Sequence, residues 1–131
     1  MRKAVDLAAT KKDDQMTIHQ LGEGWVAEEA LAIAAYCALK YEDDFEKAIV
    51  ASVNHKGDSD STGAICGNIL GARLGMKGIR QKYIENLELK DVILEVADDL
   101  CNDCQISEYG KHNDPVWVRK YIEMSWTGKG N

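Results

Sequence analysis

The residues in this chain best suited to chemistry lie in Gly57-Asp58-Ser59-Asp60-Ser61-Thr62-Gly63, where five consecutive carboxylate or hydroxyl side chains sit between two glycines. Hard cations such as Mg²⁺, Mn²⁺ or Ca²⁺ take oxygens of this kind, and the run holds no soft ligand, which disfavours zinc. Three readings compete. The plainest is a helix cap, because one Asp or Ser before a helix satisfies its free N–H groups. Asp58, Asp60 and Gly63 also match the start of an EF-hand loop. That loop requires a bidentate Glu at its twelfth position, and Ile69 stands there instead. The third reading is a catalytic cation site: Asp58 and Asp60 can converge, with the Ser61 hydroxyl added where the helix begins. Two convergent carboxylates exceed the needs of a cap and repel each other unless a cation or a proton lies between them.

A second cluster is weaker. Cys101-Asn102-Asp103-Cys104 forms a C-x-x-C pair with His112 nearby, yet no second pair follows and no strand precedes it. Its role and that of residues 104–131 stay open. Cys37 and Cys66 fall within apolar helical patterns, where a reduced thiol acts as a small core residue. Cysteine usage of this kind predicts a reducing, cytoplasmic setting.

The elements that must position the oxygen run are helical. The chain has 131 residues, enough for one domain with a sizeable core, and a single proline. Expected helices cover residues 1–12, 25–41, 43–53, 61–74, 79–87 and 89–103, and a last one opens at Pro115. A glycine turn at 21–24 precedes the second of these, in which Leu31, Ala34, Ala35 and Ala38 form the apolar stripe. Asp43, followed by Glu46, reads as the cap of the third. Val92, Ile93, Val96, Ala97 and Leu100 give the helix at 89–103 a continuous apolar face, and Trp117 and Trp126 predict that the tail packs onto something. Gly63, Gly67, Gly71 and Gly75 recur every four residues. Each costs about 1 kcal/mol of helix stability against alanine, so a close-packed neighbour must compensate. The expected architecture is one all-α unit over residues 1–131, a multi-helix orthogonal array.

A net charge of −6 argues against nucleic acid or an anionic membrane as partner. No window of about twenty apolar residues predicts a membrane span, and the first residues lack the apolar core of a secretory signal.

Gly57-Asp58-Ser59-Asp60-Ser61-Thr62-Gly63-Ala64, running on into the glycine-spaced helix, resembles the signature of the ADP-ribosylglycohydrolase family. Upstream, Leu21-Gly22-Glu23-Gly24-Trp25-Val26-Ala27-Glu28-Glu29 is similar to the loop and helix preceding that signature, and LELKDVILEVADDL to the family's closing helix. The likeness covers roughly residues 20–100. It implies an all-α fold, of which this chain is the C-terminal part, with a binuclear magnesium or manganese site. The implied reaction hydrolyses the glycosidic bond between ADP-ribose and a protein side chain or small acceptor. By the same resemblance Asp58, Asp60 and Ser61 are metal ligands, while Gly24 and Trp25 lie against ADP-ribose. The family's other ligands belong to an N-terminal Thr-Asp-Asp motif and a glutamate. Here Asp13-Asp14 follow Lys12, so that role is not transferred to them, and the resemblance implies an incomplete site whose missing half lies N-terminal. A non-catalytic helical remnant, or a module that binds ADP-ribose or a protein partner, is the rival expectation.

Overall fold

The structure is a computed structural model that describes residues 1–102, 104 and 114–125. Regular structure among these residues is entirely helical, as expected. In chain order, α1 spans Arg2–Ala8, α2 Asp14–Leu21, α3 Ala27–Lys40, α4 Phe45–Val53 and α5 Ser59–Leu74. A 3₁₀ turn follows at Met76–Gly78, then α6 at Gln81–Glu85 and α7 at Lys90–Cys101. The last helix, α8, covers Pro115–Trp117 and continues as a π-helical turn through Val118–Ile122. The chain divides after Tyr83 into two compact units.

In the first unit α3 is the centre, and α1, α2, α4 and α5 pack on it. Its sequence, AEEALAIAAYCALK, explains why. Alanine favours helix and takes little room, so several neighbours can approach one axis. Residues from Ala32 to Ala38 are all buried, together with Ala30. They meet Ala4 and Leu7 of α1, Ile18 of α2, Ala48 and Ala51 of α4, and Cys66 and Leu70 of α5. Leu31, expected in the stripe, is 42% exposed, because the buried surface wraps around the alanines instead. The Cys37 and Cys66 thiols are buried, and desolvation raises the pKa of both, leaving them inert core groups.

Helix α2 was not anticipated. It has no apolar stripe and buries only Thr17 and Ile18. Local capping and one tertiary cluster hold it. Asp13 accepts the Met16 amide at 3.0 Å. Asp14 accepts from the Tyr36 hydroxyl at 2.6 Å, Lys40 Nζ at 2.7 Å and the Tyr41 hydroxyl at 2.7 Å. Asp13 thus caps α2, and Asp14 docks it on α3.

Helix α4 is capped by Asp44, which accepts the Lys47 amide at 3.1 Å, one residue later than the expected Asp43. Asp43 instead meets Arg73 Nη2 at 3.1 Å. Of the glycine ladder, two rungs face α4. A methyl group on Gly63 would come within 2.6 Å of Val53 Cγ1, and one on Gly67 within 3.6 Å of Ile49 Cδ1. Gly71 has nothing within 4 Å, and Gly75, with φ +62°, ends the helix.

In the second unit α7 buries none of its residues, so its apolar stripe stays at the surface of the described residues, with Ile93 48% and Leu100 64% exposed. Lys120 Nζ bridges Glu95 at 2.6 Å and Asp99 at 2.8 Å, and the Tyr121 hydroxyl donates to Asp99 at 2.7 Å. Trp117 is buried against the Tyr121 ring, with centroids 5.6 Å apart. Pro115 opens its helix as expected, after Asp114 caps the Val116 amide at 2.9 Å. His112, the third ligand considered beside the C-x-x-C pair, lies outside the described residues, as do Trp126 and the final residues.

Candidate functional site

Helix α5 begins at Ser59, two residues before the expected start, and Asp58 is its N-cap. The Ser61 amide donates to Asp58 Oδ1 at 3.3 Å and to Asp60 Oδ1 at 3.0 Å, so both carboxylates aim at one N–H. The neighbouring Asp60 carboxyl above all, and then Ser61, hold the Asp58 pKa below the ordinary aspartate value. All three side chains singled out from the sequence therefore come together. The capping reading is met by Asp58, and the first helical turn brings Asp60 and Ser61 beside it.

The glycine loop is docked onto this turn. The Asp58 amide donates to the Glu23 carbonyl at 2.8 Å. Gly57 must lack a side chain there, because a Cβ would lie 1.7 Å from the Glu23 oxygen. Gly24, at φ +83°, places its Cα so that a Cβ would stand 3.1 Å from Thr62 Cγ2 and 3.6 Å from Asp58 Cβ. Trp25 precedes α3 instead of opening it, and it is 67% exposed, so it is no core tryptophan. Its indole Nε1 donates to Glu23 Oε2 at 3.2 Å.

Three further side chains fix this arrangement, in roles that sequence reasoning did not assign to them. Glu29, in the first turn of α3, accepts the Glu23 and Gly24 amides through Oε2 at 3.0 and 3.1 Å. His55 Nδ1 accepts the Gly57 amide at 3.1 Å, which places the ring proton on Nε2, 2.9 Å from Thr62 Oγ1. The buried Thr62 hydroxyl in turn donates to the Ser52 carbonyl at 2.7 Å. Only the proximity of Glu29 to the glycines hinted at its role. Thr62 was read only as a member of the oxygen run, and nothing in the sequence marked His55.

The donor set suits a hard cation from one side. Two carboxylates and a hydroxyl are oxygen ligands of the right class, but fewer than the six such an ion takes. Among the described residues no group of three His, Cys, Asp or Glu side chains gathers that could hold a metal. A cavity of about 680 Å³ opens beside the two loops, lined among others by Ile18, His19, Glu23, Val53, His55 and Lys56. Asp58, Asp60 and Trp25 are not among its walls. No helix of the described residues is long and apolar enough to cross a membrane.

With this geometry in view, comparison with known proteins defines the class. The family model for ADP-ribosylglycohydrolase matches residues 1–109, wider than the span expected from the motifs, and the chain belongs to that family. It is 41% identical over 71 residues to ADP-ribosylhydrolase ARH1 of Dictyostelium discoideum, covering 53% of this chain and 18% of that protein. An uncharacterized protein of Archaeoglobus fulgidus is 32% identical over 89 residues, 68% of this chain and 28% of its own length. The ADP-ribosyl-[dinitrogen reductase] glycohydrolase of Rhodospirillum rubrum is 35% identical over 48 residues, 37% of this chain and 16% of the relative. The chain thus spans between about a sixth and a little over a quarter of the length of these relatives. No solved structure matches it.

Proposed function

We propose that this chain supplies one half of a metal-dependent ADP-ribosylglycohydrolase site. Asp58, Asp60 and Ser61 hold a divalent cation, magnesium or manganese, and Gly24 with Trp25 lies against ADP-ribose. The observation that carries this reading is the convergence of the Asp58 and Asp60 carboxylates on the Ser61 amide in one turn, onto which the glycine loop is docked. The names of two relatives support an ADP-ribosyl group as the substrate class, carried in one of them by a protein. Buried reduced thiols fit a cytoplasmic setting.

Metal bound there would supply Lewis acidity and an activated water. The chain's own residues do the rest. Asp58, whose pKa the neighbouring Asp60 carboxyl and Ser61 hold below the ordinary aspartate value, is one of the two carboxylates offered to the cation. The free N–H groups of α5 create a positive potential, which favours the carboxylates and any phosphate brought near. Trp25 offers an exposed aromatic face whose orientation Glu23 restrains, suited to stacking or sugar contact. The remaining metal ligands come from elsewhere, because two carboxylates and a hydroxyl leave the coordination sphere half filled.

The chain alone is therefore expected to bind Mg²⁺ weakly and to release ADP-ribose from ADP-ribosyl-arginine at no useful rate. Turnover comparable to that of a complete family member would refute the half-site. The absence of a third His, Cys, Asp or Glu beside Asp58 and Asp60 among the described residues favours a second reading, a non-catalytic module that binds ADP-ribose or a partner. Calorimetric titration with ADP-ribose, with and without Mg²⁺, separates the two: metal-dependent binding supports the site, whereas metal-independent binding supports the module.

A further inference from the structure

Glu29 lies in neither the oxygen cluster nor the aromatic surface, yet the two meet through it. Its Oε2 accepts two successive backbone amides, Glu23 at 3.0 Å and Gly24 at 3.1 Å. The loop so held reaches in two directions. The Glu23 carbonyl receives the Asp58 amide at 2.8 Å, and the Glu23 carboxylate receives the Trp25 indole at 3.2 Å. Gly22 is pressed onto the same side chain, since a Cβ there would fall 2.3 Å from Glu29 Cδ. Glu29 itself sits on α3, whose burial makes it the most firmly seated element of the unit.

We infer that Glu29 is the positioning residue of this site: one carboxylate ties the α3 scaffold to the backbone of Asp58 on one side and to Trp25 on the other. A hydrogen bond to a charged acceptor is stronger than a neutral one, and two on one oxygen fix both position and direction. Glu23, Gly24 and Asp58 would otherwise rely on a loop rich in glycine, which gains entropy when released. The part concerning metal rests on the proposed half-site. The part concerning loop geometry does not.

The test compares the full chain with E29Q, E29D and E29A by amide hydrogen exchange and by Mn²⁺ titration. Gln keeps an acceptor of the same reach and is expected to restore most protection. Asp keeps the charge at the start of α3 but is one methylene too short to reach both amides. E29D and E29A are therefore expected to lose at least tenfold in protection at Glu23, Gly24 and, through the carbonyl bond, Asp58. Mn²⁺ affinity is expected to fall tenfold or more alongside, the usual effect of losing a group that orients a metal ligand. Should E29A fail to fold, E29D still decides, because it retains the interaction with the helix dipole. Unchanged protection at Asp58 in E29D, or E29Q behaving like E29D, would overturn the inference. If the unmodified chain binds no Mn²⁺, the half-site reading fails while the exchange result still judges Glu29.

Discussion

At the scale of single residues, the site separates a structural duty from a chemical one. Asp58 caps α5 and is tied to Asp60 and Ser61, whereas Asp60 is exposed and shares its only amide partner with Asp58. Removing the Asp60 carboxylate leaves the cap in place. D60A is accordingly expected to change stability by no more than about 0.5 kcal/mol, the range of ordinary surface substitutions. Mn²⁺ affinity should fall at least tenfold, since one of two charged ligands is lost. Thermal unfolding and Mn²⁺ titration on the same sample check both halves, and undiminished affinity would remove Asp60 from the ligand set.

At the scale of elements, the packing of α4 on α5 makes two glycines of one ladder behave oppositely. On α5, Gly71 has open space, so G71A is expected to stabilise the protein by up to about 1 kcal/mol, the helix-propensity difference. A Cβ on Gly63 would stand only 2.6 Å from Val53 Cγ1, whose branched side chain has little freedom to turn away. G63A is expected to destabilise by about 1–2 kcal/mol once overpacking is set against propensity. Denaturant unfolding of the two variants should show midpoints moving in opposite directions. A parallel shift would mean that α4 does not approach α5 as closely as the structure places it.

At the scale of the whole molecule, the Asp14 cluster links pH to stability. Burial alone would raise the Asp14 pKa, but hydrogen bonds from Lys40, Tyr36 and Tyr41 outweigh it and the net shift is downward. A depressed carboxylate stabilises the fold above its unfolded value near pH 4, and that contribution is lost as pH falls through the folded value. The unfolding temperature should therefore drop below about pH 4, and D14N should show a smaller drop. At neutral pH, D14N is expected to cost about 2 kcal/mol, as befits charged hydrogen bonds that are partly open to solvent. On the alkaline side, burial and the Asp14 carboxylate push the Tyr41 pKa up to about 12, which keeps its hydroxyl donating through the neutral range. Equal acid sensitivity in D14N and the unmodified chain would show that the cluster is not what links α2 to pH.

Much of this was legible in the sequence, for definable reasons. Helical periodicity and alanine content set α3, and cap chemistry set the start of α8 and placed that of α5 within two residues, because those signals act over a few adjacent residues. The Asp58, Asp60 and Ser61 cluster was visible for the same reason: its members are neighbours in the chain. Helix α2 was not visible, since its stability comes from Asp14 reaching Tyr36, Lys40 and Tyr41, 22 to 27 residues away. Likewise the α7 stripe was read correctly as apolar, but periodicity does not say what covers it.

The sequence by itself determined the helical class, the family signature and the oxygen cluster, all properties of short-range pattern. Only the tertiary structure decided that Trp25 is exposed, that half the glycine ladder is used, and that Glu29, His55 and Thr62 hold the two loops together. Those outcomes depend on which distant backbone amides and carbonyls meet, and such meetings leave no local spacing to read.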